Sequence, residues 1–302
     1  MIRNLVGGCA LALTLTLTLG ACQKQVETPF QPVAAEFRAA IGSGASTRVS
    51  GTQGDQWDDG DAIGITALET EYSNVPYIHQ SGTFTPQSET IYFDGPQEVT
   101  FQAYYPYHAA GEVIAAVTDE AAQSDPTAVD FLYASGATGS ADNRQVNFTD
   151  QRGNGGSDCS FHHCMSRLTL TLRAGEDIDF TTQRPTCCSL VGAMLTGTFD
   201  TRSGLAQATP DGGAQTLTLS LADPTLSAST ILFPQTFTDP LRLEVVYNGE
   251  TYTATFPLPN NRLEAGYDYQ YTATLRNSDM SLATATITPW SPVTPGDVSA
   301  EL

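Results

Sequence analysis

The sequence predicts an all-β protein of sandwich type, and three observations predict it. Val, Thr, Tyr, Phe and Leu recur in short alternating runs. Gly, Pro, Asn and Asp punctuate those runs, as turn residues do. Helical periodicity is scarce, with one short turn expected near TDEAAQSD (118–125). A layered sheet architecture is the way such strands bury their apolar faces.

In chain order, the first element is an export signal. Arg3 supplies a positive start, Leu5 to Leu19 an apolar stretch, and Leu19-Gly20-Ala21-Cys22 a lipobox-like close. The stretch carries two glycines and is only marginally long enough to span a bilayer, so the reading is a lipoprotein signal at 1–21 with a diacylglycerol on Cys22. Cys9 is discarded with it. No other cofactor is expected.

Next comes VAAEFRAAI. Val33, Ala35, Phe37, Ala39 and Ile41 share one parity, so an extended chain gathers them on one core-suited face. GSGAS follows as a hinge, and Arg48 stands in it. The chain has twelve arginines and a single lysine, Lys24, so a basic residue in an open loop marks a protease site. Cleavage between Arg48 and Val49 would free a complete strand and leave an apolar trough with unpaired backbone. Another molecule's strand could fill that trough by β-augmentation.

DDGD (58–61) reads as a turn, since it lacks the ligand spacing of a calcium loop. AIGITAL (62–68) and EVTFQAYY (98–105) follow as strands. Apolar residues thin out at SGATGSADNRQ (135–145) and TDQRGNGGSD (149–158), which sets a domain boundary near 155. The expected organisation is therefore 1–21 signal, 22–48 lipidated propeptide with the removable strand, 49–155 first sandwich and 156–302 second sandwich. The later strands are LTLTL (168–172), TLTLSL (216–221), LRLEVVY (241–247), TYTATF (251–256) and YDYQYTATL (267–275), with the Asn-Gly of YNGE (247–250) closing a tight hairpin.

Chemistry is thinly represented. A formal charge of −20 argues against a nucleic-acid partner. Lys24 lies beside the anchor, so the folded body has no lysine for a Schiff base or a phosphate loop. CSFHHC (159–164) with Cys187 and Cys188 is the one cluster that could hold zinc, but its spacing matches no common finger. Export favours oxidised cysteines, and a bridge from Cys164 to Cys187 or Cys188 would clip two neighbouring strands, worth about 3 kcal/mol. Free thiols are the third alternative. His162 and His163 read as strand-end packing, with a break expected near Ser166. The tryptophan and tyrosines could stack on a sugar, but alternating strands use such residues for packing. No catalytic motif stands out.

One set of stretches runs through nearly the whole chain: the lipobox at Cys22, Thr47-Arg48-Val49 leading to Trp57-Asp58-Asp59-Gly60-Asp61-Ala62-Ile63-Gly64, and Phe101-Gln102-Ala103-Tyr104-Tyr105-Pro106-Tyr107. Phe161-His162-His163, Met165-Ser166-Arg167-Leu168, Leu263-Glu264-Ala265-Gly266-Tyr267-Asp268-Tyr269 and Ile287-Thr288-Pro289-Trp290 complete it. In their order and spacing these stretches resemble the fimbrillin family of pilus subunits. The resemblance implies two transthyretin-like β-sandwiches in tandem, an outer-membrane lipoprotein precursor, and removal of the amino-terminal strand by an Arg-specific protease. It further implies donor-strand exchange with other pilus subunits and a non-enzymatic role at the cell surface, where a host protein or glycan could be the ligand. After Trp290, the tail SPVTPGDVSAEL has two prolines and only Val298, Ala300 and Leu302 in alternation, a thin donor. That leans slightly toward a tip over a stalk subunit. The alternative is a glycan-binding surface lipoprotein that is never cut, and a lipid-anchored hydrolase has the least support.

Overall fold

A computed structural model describes residues 30–42 and 56–290. Among these residues nearly all regular structure is strand. The helix Glu120–Gln123 is the exception, with four short 3-10 turns. That helix forms where the sequence places it, because the Asp119 carboxylate caps it by accepting the Ala122 N–H at 3.0 Å. Likewise Asn248 and Gly249 take the positive φ angles, 53° and 79°, that the tight hairpin needs. The described residues from Pro32 onward form one compact unit.

Seven strands from before residue 155, and His162–His163 from beyond it, build one sheet. Its order is Gln145–Phe148, Glu36–Ala39, Thr83–Pro86, Val75–Gln80, Ala62–Ala67, Val99–Tyr105, Leu132–Gly139 and His162–His163. Phe37 and Phe101 belong to strands four steps apart, which is roughly 19 Å in a flat sheet. Their ring centroids are 5.4 Å apart. The sheet therefore folds over on itself, and the apolar parity of each strand meets in one aromatic core containing Phe37, Tyr77, Phe84, Phe101, Phe148 and Phe161.

The second half is a sandwich of two sheets. Ser166–Ala174 is flanked by Ser227–Leu232 and by Tyr267–Leu275, which also pairs with Met280–Leu282 and Thr286–Pro289. Facing it are Ala214–Thr218, Cys187–Met194, Arg242–Tyr247 and Glu250–Thr255. Their alternating leucines and valines, among them Leu168, Leu170, Leu190, Leu217, Leu243 and Val245, share one core.

A third cluster mixes the halves. Val113–Val117 leaves the first half to pair with Thr196–Asp200, which pairs in turn with Leu205–Ala208. Under this small sheet Phe131 stacks on Phe199 at 4.6 Å, in a cluster that includes Ile114, Met165, Phe233 and Trp290.

Candidate functional site

The candidate site is the seat of the amino-terminal strand. Cys22, Arg48 and Val49 lie outside the described residues, and the seat itself lies within them. Val33–Ala34 pairs antiparallel with Tyr92–Phe93, and Glu36–Ala39 runs parallel to Gln145–Phe148. On its other side Phe37 is paired with Phe84 of Thr83–Pro86. The strand is thus interior to the sheet, with a neighbour on each side.

The side chains follow the parity read from the sequence. Phe37 is 1% exposed, Ala35 and Ile41 are buried, and Val33 and Ala39 are half-buried, while Glu36 and Arg38 face solvent. The Phe37 ring meets Tyr77 edge-on at 4.8 Å and lies parallel to Phe148 at 6.3 Å. Burying such a side chain contributes about 2–3 kcal/mol. Main-chain bonds extend the grip. The N–H of Ala35 donates to the Ile91 carbonyl at 2.9 Å, that of Ala40 to Phe148 at 2.9 Å, and that of Gly42 to Phe161 at 2.7 Å. The Glu36–Arg144 ion pair at 2.9 Å is exposed and contributes little.

Trp57 is the clasp of the seat. Its indole N–H donates to the Ala39 carbonyl at 3.1 Å, and its ring meets Phe161, Phe84 and Tyr105 edge-on at 5.0, 5.3 and 5.4 Å. Tyr105 donates its hydroxyl to Asp61 at 3.0 Å within the DDGD turn, where Asp58 N–H donates to the Asp61 carboxylate at 2.7 Å. Burial and then the Asp61 charge push the Tyr105 hydroxyl pKa up. Below the seat, Tyr77 accepts the Ile91 N–H at 2.9 Å, and burial raises its pKa to about 12. Nothing in the spacing of the sequence points to the Trp57–Ala39 bond.

Removing residues 33–41 from this arrangement would open a slot between Gln145–Phe148 and Thr83–Pro86, with unpaired backbone on both walls and Phe84, Tyr77, Phe101 and Phe148 at its floor. The chemistry such a slot offers is strand binding. Backbone groups supply most of the contacts, and a deep aromatic pocket selects the residue at the Phe37 position.

The expected disulfide does not form. Cys159, Cys164, Cys187 and Cys188 are free thiols. Ser166–Ala174, which follows Cys164, does not neighbour Cys187–Met194, since its flanking strands are Ser227–Leu232 and Tyr267–Leu275. Cys164 packs in the mixed cluster and Cys188 in the second core. Burial pushes both thiols up to about 12. The histidines separate as well. His162 is exposed, whereas His163 is buried with its Nδ1 2.8 Å from Asp130 and its ring parallel to Trp290 at 4.1 Å. Arg167 packs over the same indole at 4.8 Å. Among the described residues no three His, Cys, Asp or Glu side chains gather as a metal site would require.

The class these features define is an all-β protein whose first core is completed by a strand that precedes the rest of its sheet in sequence. Residues 47–290 match the fimbrillin-like family, and the chain belongs to it. A crystal structure of a candidate cell adhesion protein from Bacteroides ovatus is similar, at 28% identity and a TM-score of 0.69, over 87% of this chain and 100% of that one. Another candidate cell adhesion protein, from Bacteroides uniformis, matches at 22% identity and a TM-score of 0.67, over 86% of this chain and 99% of the other, and speaks to the fold alone. No curated protein matches the chain.

Proposed function

We propose that this protein is a structural pilus subunit, at the tip or in the stalk, assembled by protease-activated donor-strand exchange. The precursor is an outer-membrane lipoprotein anchored through Cys22. An Arg-specific protease cuts between Arg48 and Val49, releasing residues 22–48 with the strand carried on Val33, Ala35, Phe37, Ala39 and Ile41. The slot then accepts a strand from another subunit. In this reading 49–155 and 156–302 are the two sandwiches of the mature subunit. The observation that carries it is the interior position of Glu36–Ala39, flanked by strands on both sides and followed within ten residues by the hinge arginine. Membership of the fimbrillin-like family and the Bacteroides ovatus relative support a role at the cell surface.

The test is limited digestion of the purified precursor with an Arg-specific protease. A stable fragment beginning at Val49 is expected, able to associate with strand-donating subunits, while an Arg48→Ala variant stays monomeric. Cleavage scattered over Arg144, Arg152 and Arg184, or saturable glycan binding by uncut monomer alone, would overturn the proposal.

A further inference from the structure

The small sheet shared by the halves has an open edge. Val113–Val117 pairs on one side only. Thr201 N–H donates to the Glu112 carbonyl at 2.9 Å, and Thr118 N–H to that of Leu195 at 2.7 Å, so the even-numbered residues turn their backbone groups inward. In an antiparallel ladder the backbone groups of Val113, Ala115 and Val117 then point outward, where no described strand meets them. The same residues expose their side chains. Val113 is 58% exposed and Val117 43%, and Leu205, 56% exposed, lies in the same cross-strand row through Asp200. An uncharged, apolar edge such as VIAAV is a site for strand addition.

We propose that this edge is covered by the chain's own carboxy-terminal segment, residues 298–302, pairing in cis with Val113–Val117. Trp290, the last described residue, packs in the same cluster as Ile114, so the following chain departs from this neighbourhood. Residues 291–297 reach up to about 23 Å when extended. The segment VSAEL has the length of VIAAV, and its alternate residues Val298, Ala300 and Leu302 repeat the large, small, large order of Val113, Ala115 and Val117. Antiparallel pairing sets Val117 beside Val298, Ala115 beside Ala300 and Val113 beside Leu302, with no like charges opposed. Pro292 and Pro295 fall in the connector, so each of the five paired residues keeps its N–H. Glu301 then sits on the new edge, where a charge discourages further strand addition. A tail engaged this way is withheld from neighbouring subunits, which would suit a tip position in the assembly proposed above. The pairing itself needs no cut at Arg48.

Hydrogen exchange on the uncut chain tests it directly. The amides of Val113, Ala115 and Val117 should exchange about tenfold or more slowly in the full chain than in one ending at Trp290. Ala300→Pro, which removes one ladder donor outside the folded body, should match the truncation. An Ala115→Cys/Ala300→Cys variant should form a 115–300 disulfide within one molecule, mapped by mass spectrometry, because opposed residues in such a pair lie about 5.5 Å apart. Equal exchange in the full and truncated chains overturns the proposal, as does a link found only between molecules. Failure of Arg48 processing leaves it untouched, and failure here leaves the strand seat untouched.

Discussion

The two halves bury their cores by different means, and the difference bears on function. The second core draws every strand from the continuous stretch 166–289 and fills its centre with leucine and valine. The first is aromatic and incomplete without Glu36–Ala39, which is separated in sequence from the next strand of its sheet, Ala62–Ala67, by residues 40–61. A core whose strands are continuous in the chain cannot lose one by a single cut, whereas a strand joined to its sheet through one connecting stretch can be replaced by another extended segment with a similar anchor. Only the first core takes a strand from residues before 42, and the proposed exchange therefore falls on that half.

The strongest way to break that comparison is to take the strand away. Chain lacking residues 22–48 should lose exchange protection in Thr83–Pro86 and Gln145–Phe148 while Ser166–Ala174 keeps it, and it should associate unless a donor peptide is supplied. Equal loss in both halves would falsify the division of roles. The next largest effect comes from single side chains. Phe37→Ala should destabilise the first half by about 3–5 kcal/mol, and Leu243→Ala the second by about 2–5 kcal/mol. After cleavage and strand exchange the Phe37 effect should vanish and the Leu243 effect persist. Denaturant unfolding before and after processing separates the two.

Much of this was legible in the residues. Tyr267–Leu275 coincides with YDYQYTATL, and the parity of Val33 to Ile41 matches the buried face, because local alternation carries both. What local pattern cannot carry is which strands become neighbours. The bridge expected from Cys164 to Cys187 or Cys188 assumed that strands near in sequence pair in space, yet Ser166–Ala174 finds its parallel partner about a hundred residues away. The crossing of Val113–Val117 into the second half's sheet was invisible for the same reason. In the site itself, the anchor at Phe37 could be read, but the clasp from Trp57 depends on how the chain returns after the hinge.

That clasp gives a smaller and sharper test. Trp57→Phe keeps most of the ring packing and removes the N–H that holds Ala39, so about 1 kcal/mol of stability should go from the first half alone. The more telling readout is the rate at which the amino-terminal strand leaves after cleavage, which should rise. An unchanged rate would mean that the Phe37 pocket alone sets retention.

Alkali offers the finest distinction. Burial raises the Tyr77 and Tyr271 pKa values from 10 to about 12 in the first and second cores respectively. A phenol whose folded pKa is raised contributes stability that is complete below pH 10 and is lost as pH climbs toward 12, at up to about 1.4 kcal/mol per pH unit for each group. Both halves should therefore weaken in alkali, the first above pH 10 and the second from about pH 9, because the buried Cys188 thiol, raised from 9 to about 12, follows the same sign. Each half has a second buried phenol with a raised pKa, Tyr105 in the first, raised by burial and by Asp61, and Tyr269 in the second, raised by burial. Trp57 packs directly on the Tyr105 ring, and with Trp290→Phe it is the only remaining indole, so its fluorescence should report the first half opening at a slightly higher pH than exchange protection is lost in Ser166–Ala174, whose core holds the Cys188 thiol that costs stability from pH 9. Coincident transitions would show that the mixed cluster under Phe131 and Phe199 couples the halves more tightly than their separate cores suggest.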